Sequence, residues 1–69
     1  MTGTEINLKL NEILHRGLGL CHPTEAELRK LGRDLRAIAR AGNELDRDAV
    51  DRVRKMIIHQ KGSRAAQYL

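Results

Sequence analysis

Residues 24–42 read TEAELRKLGRDLRAIARAG, and two patterns are laid over one another in them. Leu28, Leu31, Leu35 and Ile38 recur at the spacing of one helical face, with Gly32 and Ala39 beside them. Thr24 stands before this face as an N-cap, and Glu27 three positions on completes the pattern of a capping box. A helix is therefore predicted over 25–41, with Gly42 as a left-handed residue that stops it. The second pattern is basic: Arg29, Arg33, Arg36 and Arg40 follow one another one turn apart and occupy one strip beside the apolar face. Glu25 can pair with Arg29, whereas Arg33, Arg36 and Arg40 have no acid one turn before them.

Working outward, Asp46 reads as the N-cap of a second helix over 47–61, with Leu45 stapled to Val50 and with Val53 and Ile57 continuing the inner face. The short link between the two segments predicts an antiparallel hairpin. On the second helix Arg47 and Asp51, Asp48 and Arg52, and Asp51 and Lys55 form i,i+4 pairs worth about 0.2–0.5 kcal/mol each, which is surface support. Near its end Met56, Ile57 and Ile58 widen the apolar arc beyond what one neighbouring helix covers. Met56 and Ile58 are the candidates for a dimer seam or a partner contact, and the N-terminal helix is the alternative cover.

In the N-terminal segment Ile6, Leu10, Ile13 and Leu14 share a helical face, while Ile6, Leu8 and Leu10 also alternate as a strand does. A helix over 5–16 is favoured, ended by Gly17, with Leu18 and Leu20 of GLGLCHP plugging the open end of the hairpin. The tail GSRAAQYL, residues 62–69, has no cap and no long period, and is expected to fray unless Tyr68 and Leu69 dock on a partner. The fold class is thus all-α: one small domain, residues 1–69, built as a helical hairpin behind a first helix.

Composition adds the oligomer. The chain has 69 residues, no Phe or Trp, and one Tyr, so its core is aliphatic and thin. A chain of this size buries only about 60% of its unfolded surface. One cysteine excludes an intrachain disulfide, and no metal cluster is evident, so a homodimer is expected as the remaining source of buried area. No apolar run is long enough for a membrane span, and MTGTEINLKL lacks the marks of a signal peptide, which points to the cytoplasm.

Catalysis finds little support. Cys21 and His22 are adjacent and His15 is near in sequence, but there is no CxxC or HxxxH pair for a metal. A nucleophile would need a base, an orienting group and a pocket, and a loop on so small a helical chain offers little from which to build them. No catalytic residue, metal or cofactor is assigned, and an enzyme is not expected.

A net charge of +4 and the guanidinium fork leave phosphate and carboxylate partners open. A helix-turn-helix turning at Gly42 would put Asp48 and Asp51 where apolar core is needed and bring Glu44 and Asp46 towards phosphates. A ribbon-helix-helix leaves too long a gap between Ile6–Leu10 and Thr24. The expected function is therefore that of a small non-enzymatic regulatory or adaptor protein that binds a partner protein and modulates or inhibits it. Its contact residues would be Arg29, Arg33, Arg36, Arg40, Met56 and Ile58. The alternative is a nucleic-acid-binding transcriptional regulator in which the arginine strip acts with Arg52, Lys55, Lys61 and Arg64.

Overall fold

A computed structural model describes residues 3–69 of the chain. It comprises α1 (Gly3–Gly19), α2 (Glu25–Ala41), α3 (Glu44–Lys61) and α4 (Ser63–Tyr68), with no strand among the described residues. The all-α class and the α2–α3 hairpin agree with the sequence reading.

The start of α2 follows from its capping box, in which the Glu27 amide donates to Thr24 Oγ1 at 3.2 Å and the Thr24 amide to Glu27 Oε1 at 3.0 Å. Leu28, Leu31, Leu35 and Ile38 are all buried. Gly42 closes the helix by donating its amide to the Ile38 carbonyl at 2.9 Å. It is extended (φ −96°, ψ 175°), not left-handed as expected. The reason is the next cap: Asn43 is itself extended and already opens α3, so no residue remains for a left-handed turn.

Helix α3 begins three residues before its predicted start. Asn43, not Asp46, is the N-cap, and Asp46 is the partner that completes a second capping box: the Asp46 amide donates to Asn43 Oδ1 at 3.0 Å, and the Asn43 amide to Asp46 Oδ2 at 2.9 Å. Leu45 consequently lies in the first turn, 75% exposed, and does not staple to Val50.

Helix α1 runs past its predicted end, and the strand alternative at Ile6–Leu10 does not occur. Gly17 lies inside the helix and is buried. A Cβ there would come within 2.9 Å of Ile57 Cδ1, so the missing side chain is what lets α1 close on α3. Asn7 and Asn11 lie beside Ala49 and Val53, and Leu18 beside His59, so α1 and α3 run in the same direction. Helix α2 runs back antiparallel to both and packs against each, tied to α1 by the Arg16–Asp34 ion pair at 2.6 Å.

The tail is not frayed. Gly62 takes φ 87°, a conformation that side chains disfavour, and turns the chain from α3 into α4. Ala65 and Leu69 enter the same core cluster as Leu35 and Ile57, and Tyr68 packs half-buried against it. Six residues, fewer than two turns of helix, show no long period, which is why the sequence did not reveal it. Beside this junction the Lys61 ammonium donates to the Leu18 carbonyl at 3.2 Å and to the Leu20 carbonyl, closing the C-terminal end of α1.

Candidate functional site

The arginine strip lies on the surface as expected, with Arg29, Arg33, Arg36 and Arg40 all exposed. Their surroundings divide them. Arg29 pairs with Glu25, and its guanidinium lies 5.5 Å from the centroid of the Tyr68 ring, so it fastens α4 to α2. Arg33, Arg36 and Arg40 form no ion pair among the described residues. A residue outside the strip joins them: Arg47 Nε donates to the Ala39 carbonyl at 3.3 Å, across the α2–α3 turn. Arg36, Arg40 and Arg47 then surround a shallow hollow of 340 Å³ over Ala39. Arg47 is not paired with Asp51, which takes Arg54 instead. The short α2–α3 link was the signal that could have placed Arg47 opposite Arg40.

The other basic residues do not converge on this strip. Lys61 is held by the carbonyls of Leu18 and Leu20, and Arg64 lines a 190 Å³ hollow near Cys21 and His22. Arg52 and Lys55 face the α1 side of α3.

Met56 and Ile58 do not share a patch either. Two positions along a helix turn a side chain by about 200°. Ile58 is half-buried against the core, whereas Met56 stands 49% exposed on the seam between α1 and α3. Ile57, which meets Gly17 of α1, is fully buried, whereas Met56 is left open.

On either side of Met56 the seam is hollowed. One depression, of 420 Å³, lies between Asn7 and Asn11 of α1 and Ala49, Arg52 and Val53 of α3, with buried Leu10 at its floor. The other, of 480 Å³, is bounded by Leu18, Lys55, His59 and Gln60. Neither is lined by an Asp or a Glu. Leu18, Ala49, Arg52 and Lys55 were not read as neighbours, because the parallel pairing of α1 with α3 that joins them is tertiary.

Cys21 is exposed. Among the described residues no three His, Cys, Asp or Glu side chains gather as a metal site would require, and no helix is long and apolar enough to cross a membrane. Compared with protein-family models, curated proteins and solved structures, the chain matches none.

Proposed function

We propose that the chain is a small, non-enzymatic regulatory or adaptor protein that binds another protein along the α1–α3 seam and so modulates or inhibits it. The observation that supports this is Met56, a flexible apolar side chain standing half exposed between two hollows on rigid helices. Homodimerisation, suggested by the thin aliphatic core, belongs to the same proposal. Leu8 and Leu45, 60% and 75% exposed, are the apolar side chains outside the seam that a second copy would cover.

The test is affinity capture from a lysate of the source cell, with and without nuclease, using the wild type, Met56→Asp and the triple variant Arg33→Ala/Arg36→Ala/Arg40→Ala. A protein captured despite nuclease, lost with Met56→Asp and kept with the triple variant, is the expected result. Loss with the triple variant alone would move the binding surface to α2.

A second reading has one observation in its favour. Three guanidiniums without carboxylate partners among the described residues surround the hollow over Ala39, a geometry that suits backbone phosphates. Nucleic-acid binding through it predicts a log–log salt slope of about −0.9 per phosphate contacted on duplex DNA, flattened in the triple variant.

A further inference from the structure

We infer that the α1–α3 seam receives an acidic amphipathic helix of the partner protein. This rests on the reading of the seam as a protein-binding surface and adds the chemistry of its occupant. The form comes from geometry. From Ala49 to Gln60 the seam follows three turns of α3, roughly 17 Å at about 1.5 Å per residue. The hollows meet at Met56, one lined on α3 by residues within 49–56 and the other by residues within 55–60, so anchors set near Val53 and near His59 lie six residues, or about 9 Å, apart. A helix laid along the seam would drop apolar side chains into them at positions about i and i+7, the spacing by which helices seat in grooves.

The charge comes from the rim. Arg52 stands at one hollow and Lys55 at the other, both exposed and neither in an ion pair among the described residues. Asn7 and Asn11 supply neutral amides opposite. One hollow has a buried apolar floor in Leu10 and Val53, the other is lined by exposed side chains of which Leu18 and Met56 are apolar, and neither holds a carboxylate. The seam therefore matches leucine-like anchors flanked by Glu or Asp and repels a basic helix. The same feature disfavours a second copy docked through this face. A twofold axis sets a patch against itself, and here it would set basic rim against basic rim.

The probe is a fluorescein-labelled synthetic peptide of about 14 residues with leucines at i and i+7 and glutamates on its flanks, the length matched to the seam. A counterpart carries lysines for the glutamates. Anisotropy at physiological salt should show the acidic peptide binding and the basic one at least about tenfold weaker, as charge complementarity requires. The double variant Arg52→Glu/Lys55→Glu should invert that order, and Met56→Asp should weaken the acidic peptide, each with helicity unchanged by circular dichroism. Equal or tighter binding of the basic peptide overturns the acidic occupant while leaving the seam a protein site. Binding of the acidic peptide that ignores Met56→Asp and the double variant overturns the location. If neither peptide binds while lysate capture still depends on Met56, the helical occupant is wrong and the seam reading stands. If capture is also indifferent to Met56, both fail. Direct binding of labelled duplex DNA that is tighter than the acidic peptide on the wild type and is lost in the double variant would give the seam to nucleic acid.

Discussion

At Gly32 the backbone of α2 approaches α4 more closely than any side chain allows: a Cβ built there would lie 2.3 Å from the Tyr68 carbonyl oxygen and 3.3 Å from Leu69 Cα. The obstacle is backbone and cannot rotate away. Gly32→Ala gains up to about 1 kcal/mol of helix propensity, but the overpacking costs about 1–3 kcal/mol, so the expected outcome is that α4 lifts from α2. Tyr68, the single aromatic of the chain, reports this directly through loss of its near-ultraviolet circular dichroism; an unchanged signal would mean that α4 shifts without undocking. Leu35, 1% exposed, is a different case, since Leu35→Ala leaves a void and should lower unfolding free energy by about 2–5 kcal/mol in urea titration. Cys21→Ser, at an exposed loop position, should stay within about 0.5 kcal/mol of the wild type.

The helices show which signals a sequence carries by itself. Thr24 with Glu27 is a local device, complete within four residues, and it was legible because both of its hydrogen bonds depend on side chains four residues apart at most. Asn43 with Asp46 is the same device with a shorter acid in the third position, and Asp46 was itself a good cap, so two starts competed. The extra turn settles in favour of Asn43 because that choice satisfies more amides. Asn43→Ala should therefore cost about 1 kcal/mol and let the start of α3 retreat to Asp46, seen as fast amide exchange confined to residues 44–47. Thr24→Ala has no fallback cap beside it, and should lower the thermal midpoint with loss of helicity at the start of α2. Gly17 and α4 were beyond local reading. What holds Gly17 inside α1 is Ile57, forty residues away, and what orders α4 is a core it only completes.

Across the whole molecule the sequence located the charges but not their company. The strip of Arg29, Arg33, Arg36 and Arg40 could be read off a single helix, while Arg47 beside it, and the seam around Met56, exist only once α3 is set against two neighbours. Self-association is checked separately by sedimentation equilibrium: a dimer in the micromolar range should raise the thermal midpoint with concentration, and Leu8→Gln/Leu45→Gln should abolish that dependence. The grip of Lys61 on the carbonyls of Leu18 and Leu20 also sets an order in time. It joins positions more than forty residues apart, whereas α2 and α3 meet across a two-residue link. Local contacts close first because they sacrifice less chain freedom, so the hairpin is expected to form at the folding barrier and α1 to be latched afterwards. Lys61→Met should then quicken unfolding and leave refolding almost unchanged in stopped-flow traces, making that lysine a brake on the exit of α1 more than a guide to its arrival.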